Sequence, residues 1–158
     1  MNLHSHLDEM IQAVLPVVQR FHNQSALSPH AATIDKSGAL AGQLLVSDGT
    51  AQLSVSQAIR DFETSLRLLA AGGEIQAAGI FYHSPGIDTA SATFSLPPAN
   101  TAADCNCLAA MLEHVTGQSV YLLVPYSGEP PSVEYGMGKL VQKPMNIFAA
   151  AQASNKSW

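Results

Sequence analysis

Apolar positions along this chain recur with two periods, and each period predicts its own kind of element. Residues 1–23 place Leu7, Met10, Ile11, Val14, Val18 and Phe21 on one helical stripe, with Ser5 and Asp8 at capping-box spacing. Pro16 lies inside that stretch and lacks a backbone donor, so it should kink or split the helix near Gln12 or Ala13. A second stripe comprises Val55, Ile59, Phe62, Leu66 and Leu69. It opens with Ser54 and Gln57 as a capping box, carries Glu63 and Arg67 as an i,i+4 pair, and stops at Gly72-Gly73.

Shorter apolar runs predict strands. Residues 30–34 and 40–46 flank the turn Asp35-Lys36-Ser37-Gly38, and residues 76–83 run to a stop at Pro85-Gly86. Residues 91–96 alternate like a strand extension, ahead of a loop beginning at Pro97-Pro98. Residues 127–132 read as a loop, residues 133–138 and 139–141 can add a further strand, and residues 149–158 form a small, polar tail expected to fray.

The stretch from Leu108 to Tyr126 organises the rest. Two apolar runs flank Thr116-Gly117, a hairpin-type turn signal, and the second run ends at Pro125. The first arm fits two readings. As a helix, residues 105–115 would be capped by Asp104 or Asn106 and would align Leu108, Met111, Leu112 and Val115 on one face. As a strand, they would put Leu108, Ala110, Leu112 and His114 on one face and Ala109, Met111, Glu113 and Val115 on the other. Periodicity alone does not separate these for so short a run. In the strand reading Glu113 must sit near the hairpin end or meet a cation, with Lys139 or Arg60 as the expected partner.

Leu112-Glu113-His114, then Gly117, Val120 to Val124 running into Pro125-Tyr126, Tyr135-Gly136 and Ile147-Phe148 form a pattern similar to that of a family of small uncharacterised bacterial α+β proteins. In that family an acidic residue and a histidine end one strand, a short polar turn follows, and the next strand closes on Pro-Tyr. Pro29 to Asp35 followed by Gly38 resembles its first strand and turn. The likeness runs from about residue 25 to 148 and departs between Ser84 and Ala103, where this chain carries extra residues. It implies the hairpin and a fold, with no activity attached. The expected architecture is then α+β: an antiparallel sheet of about five strands in αββαβββ order, with the helices packed on the sheet. That order is similar to profilin-like and roadblock-like domains, a likeness of topology that carries no function. Residues 1–148 are read as a single domain.

Composition narrows the function classes. Charged residues make up only 12% of the 158 residues and hydrophobic ones 47%, leaving a surface that tolerates partner contact and favours oligomerisation. A net charge of −5 with seven Lys and Arg argues against nucleic acid. There is no membrane-length apolar run and no signal-peptide pattern, so the expected location is cytoplasmic. Cys105 and Cys107 are too close in sequence for an easy bridge. Buried free thiols are the plain reading, and a redox or metal role is the other.

The candidate chemistry is sparse. Glu113 and His114 would point to opposite faces of a strand and cannot pair with each other. His83 ends a neighbouring strand and could approach His114, but no ligand spacing supports a metal site. His4 and His6, at i and i+2, do not share a helical face and read as a solvated terminus. Tyr126, Glu134 and Tyr135 could line a cleft, the tyrosines half-buried with wet hydroxyls. No phosphate loop, nucleophile elbow or zinc-protease motif occurs. No cofactor or metal is implied. The chain therefore reads first as a non-enzymatic module that binds a protein or ligand, with itself (a homodimer) or another protein as partner. The alternative is a small hydrolase-like enzyme using His114, Glu113 and Tyr126 in a cleft. The binding candidates are Glu113, His114, His83, Tyr126 and Tyr135.

Overall fold

A computed structural model describes residues 2–25, 28–44, 55–84 and 106–149. The elements run α1 (Ser5–Asn23), β1 (His30–Asp35), β2 (Leu40–Leu44), α2 (Val55–Ala71), β3 (Ile75–Ser84), β4 (Cys107–His114), β5 (Ser119–Ser127), β6 (Glu134–Tyr135) and β7 (Lys139–Gln142). The fold is α+β. Its strands form one open antiparallel sheet in the order β2-β1-β3-β4-β5, with β6 and β7 both pairing along the outer side of β5. The expectation of about five strands is therefore short by these two brief ones, which lie where the sequence allows a further strand over residues 133–138 and 139–141. The anticipated Ser54 cap and the strand extension at residues 91–96 lie outside the described residues, as does the end of the second expected strand.

The central hairpin forms as a strand pair. Leu108 faces Val124, Ala110 faces Leu122 and Leu112 faces Val120, and all eight residues of β4 are buried. Gly117 adopts φ +115° in the turn, a conformation that side chains disfavour. Helix propensity in residues 105–115 is overridden because both faces of β4 are covered. On one face α1 packs Leu7, Met10 and Val18 against Ala77, Phe81, Leu108, Ala110 and Leu112. On the other, α2 packs Ile59, Phe62 and Leu66 against Ala78, Ile80, Ala109 and Met111, joined by Ile147 and Phe148. The result is three layers, with the sheet in the middle.

Local expectations for the helices need three corrections. His4, not Ser5, is the N-cap of α1, its Nδ1 accepting the His6 N–H at 3.0 Å. Gln118 Oε1 holds the His4 N–H at 2.7 Å and so anchors the chain one residue earlier. Helix α1 runs unbroken through Pro16; Gln12 and Pro16 both lie on the exposed side, where water can satisfy the carbonyl that Pro16 leaves free. Glu63 and Arg67 do not serve each other. Both reach Asn146, Arg67 Nε donating to its Oδ1 at 3.0 Å and Glu63 accepting from its Nδ2. Among the described residues no helix is long and apolar enough to cross a membrane.

Candidate functional site

Among the described residues, the candidates singled out in the sequence fall into three polar groupings around the sheet, and each joins residues far apart in sequence. The first lies where the start of α1 crosses the β4–β5 turn. Strand alternation turns His114 toward the α1 face, where it is 1% exposed. The His4 ring stacks on it at 3.6 Å between centroids, and His6 Nδ1 lies 3.0 Å from His114 Nε2. The other nitrogen, His114 Nδ1, meets Thr116 Oγ1 at 2.8 Å and accepts the Thr116 N–H at 3.2 Å. A backbone N–H only donates, so Nδ1 is unprotonated and the neutral ring carries its proton on Nε2, toward His6. Burial, then the charges that His4 and His6 would carry, push His114 down to about 4. His4 and His6 are half-buried, so the reading of a solvated terminus is corrected. His4 sits outside the helix as its cap, which frees its ring from the helical geometry that would have separated it from His6.

The second grouping lies at the opposite end of α1. His22 Nδ1 is 2.8 Å from Tyr135 Oη, and that hydroxyl donates to the Gln19 carbonyl at 3.1 Å. The phenol has one proton to give, so His22 Nδ1–H must be the donor to Tyr135. His83 Nε2 bonds Tyr126 Oη, and the His22 ring lies edge-on to Tyr126 at 4.5 Å and stacked beside His83 at 5.1 Å. Burial holds His22 below its usual value; burial and then the charge on His22 do the same for His83. Burial raises Tyr126 and Tyr135. The expected half-buried tyrosines are present, and their hydroxyls bond within the protein, Tyr126 to His83 and Tyr135 to His22 and the Gln19 carbonyl.

The third grouping is the environment of Glu113, which alternation turns to the α2 face. Its Oε2 accepts from Lys143 Nζ at 2.6 Å, both side chains being 2% exposed. Its Oε1 accepts the backbone N–H groups of Asn146 at 2.9 Å, Ile147 at 2.7 Å and Phe148 at 3.2 Å. Lys139 and Arg60, the expected partners, are exposed. The cation is Lys143 because β7 runs alongside β5 toward the hairpin turn, where the Lys143 N–H reaches the Ser119 carbonyl at 3.2 Å and Ser119 pairs with Glu113.

The sequence candidates therefore separate. Glu113 and His114 face opposite ways, as alternation requires. His83 does not approach His114: the antiparallel register sets His83 beside Leu108 and His114 beside Ala77. Six strand positions, about 20 Å, lie between them. Tyr126 is at the His83 end, so Glu113, His114 and Tyr126 share no cleft. His83, Tyr126 and Tyr135 do come together. Sequence reasoning missed His22, although it continues the α1 stripe one turn beyond Val18. It also missed Lys143 and Gln118, for which no local signal exists. Cys107 is buried and forms no disulfide among the described residues; Cys105 lies outside the described residues. Comparison with known proteins finds no matching family model, no matching curated protein and no matching solved structure.

Proposed function

We propose that this chain is a non-enzymatic interaction module that pairs with a second copy of itself along β2. The carrying observation is the contrast between the two sides of the sheet. Along β5 the sheet is closed off by two short strands, and β7 carries the exposed Lys139. Charged side chains and very short strands are the usual guards against edge pairing. At the other side β2, Leu-Ala-Gly-Gln-Leu, pairs only with β1 among the described strands and has no charge and no proline. The charged fraction of 12% for the whole chain fits a surface made for contact. The reading also rests on the αββαβββ order of α1 to β5, which we take as profilin-like in topology.

Register supplies a clean test. Asp35 N–H bonds the Ala39 carbonyl, and Leu40 faces Ile34, Ala41 faces Thr33 and Gly42 faces Ala32. Bonded and non-bonded pairs alternate in an antiparallel ladder, so the backbone groups of Ala41 point to β1 and those of Leu40 and Gly42 point outward. Gly42→Pro removes an outward donor without touching the β1 ladder. Gly42→Lys adds a charge, and a Cβ there meets nothing within 4 Å. Sedimentation at micromolar concentration should give a dimer for the natural chain and a folded 16.6 kDa monomer for both variants. A natural chain that sediments as a monomer would overturn the proposal.

A further inference from the structure

We propose that His4, His6 and His114 form a binding site for one divalent transition-metal ion of the zinc class. The three residues each offer one ligand atom, and these atoms lie within 4.8 Å of one another. His6 Nδ1 and His114 Nε2 already stand 3.0 Å apart, close to the separation of two nitrogens that share a tetrahedral zinc at about 2.0–2.1 Å each. The set is all imidazole, which suits Zn2+, Cu2+ or Ni2+ and discriminates against Mg2+ and Ca2+, whose ligands are oxygen. Three protein ligands would leave a fourth position for water or an exchangeable ligand.

The surroundings hold this group in place in a way that ring packing alone does not need. Gln118 clamps the segment ahead of α1 from the hairpin turn. Its Oε1 takes the His4 N–H at 2.7 Å, and its Nε2 donates to the Asn2 carbonyl at 2.9 Å. That clamp fixes His4 and His6 over a histidine more than a hundred residues away in the chain. Thr116 supplies the outer partner that a metal-bound histidine needs. On loading, His114 Nε2 gives up its proton to bind the ion. The ring takes its proton on Nδ1, which then donates to Thr116 Oγ1, and the longer bond from the Thr116 N–H is lost. The stacked His4 ring must also turn off His114, releasing its cap on the His6 N–H, because parallel stacked rings do not aim their lone pairs at one point. His6 and His114 are thus the leading ligands, and His4 closes the site.

The test uses the full chain without an affinity tag, titrated with Zn2+ by calorimetry and with Co2+ by its visible absorption. One ion per chain should bind, excess Mg2+ should not displace it, and Zn2+ should raise the melting temperature. His6→Ala and His114→Gln should each weaken binding by at least about 100-fold, the upper end of the loss caused by removing even an outer partner of a metal-bound histidine. His22→Ala and His83→Ala, at the far end of α1, should leave the Kd unchanged. If His114→Gln fails to fold by circular dichroism, His6→Ala decides, since that side chain is half-buried at the helix start. Absence of saturable Zn2+ binding to the natural chain, or binding that survives His6→Ala, would overturn the site and leave the three rings as packing.

Discussion

His22 and His83 are held neutral by their surroundings, and this makes stability depend on pH in a defined direction. Both sit below their ordinary value of 6.5 in the folded chain. The unfolded chain therefore binds more protons once the pH drops below 6.5, and unfolding becomes easier. The stability these groups contribute is fully present above 6.5 and is lost progressively as the pH falls from there through their lowered folded values. Urea unfolding at about pH 7.5 and about pH 5 should show this loss, and His83→Gln should reduce it. Glu113 gives a second prediction at the same scale. Lys143→Met leaves a buried carboxylate without its cation and should cost about 3–5 kcal/mol in a urea melt, toward the lower figure because three backbone N–H groups remain on Oε1. Neither network was legible as such. Alternation showed that Glu113 would need a cation, but Lys143 becomes its neighbour only after β7 has docked on β5.

At the scale of elements, the helices were legible because their signals are local, whereas local signals left the first arm of the hairpin open between helix and strand. The α2 stripe of Ile59, Phe62 and Leu66 is buried as its spacing requires, and its C-terminus closes with Gly73 at φ +71°. The meeting of α1 with β3 was not legible, although one glycine makes it possible. A Cβ on Gly79 would stand 2.6 Å from Met10 Sδ, 3.0 Å from Leu112 Cδ2 and 3.2 Å from Phe81 Cε1. Met10 and Leu112 are fully buried, so neither can simply swing away. Gly79→Ala should therefore destabilise by about 1–3 kcal/mol, the usual cost of overpacking a filled core. Thermal melts would check it, and Met10→Ala should cost less in the Gly79→Ala background than in the natural chain, because the added methyl takes up part of the space. The arm from Cys107 to His114 is the instructive case, since its residues favour a helix one by one and form the most enclosed strand in the sheet.

Over the whole molecule, the sheet carries α1 on one face and α2 on the other, and every polar grouping lies at an end of that sandwich. The His4–His6–His114 group marks the turn end of the central hairpin, and the His22–His83–Tyr126–Tyr135 group marks its open end, with α1 spanning both. The uncharged β2 edge is a property of this scale as well, because only the order of the described strands shows which of them pairs with a single described neighbour. What the amino-acid sequence by itself determined is the class of the fold, two amphipathic helices, the turn signals at Gly38, Gly73 and Gly117 and, once β4 is taken as a strand, the facing of each of its residues. These follow from periods of 3.6 and 2 and from glycine and proline, all of which act within a few residues. What only the tertiary structure decided is which distant residues meet: His4 and His6 with His114, His22 with Tyr135, and Glu113 with Lys143 rather than Lys139. Those pairings depend on strand order, on antiparallel register and on the clamp at Gln118, and no local spacing in the chain encodes them.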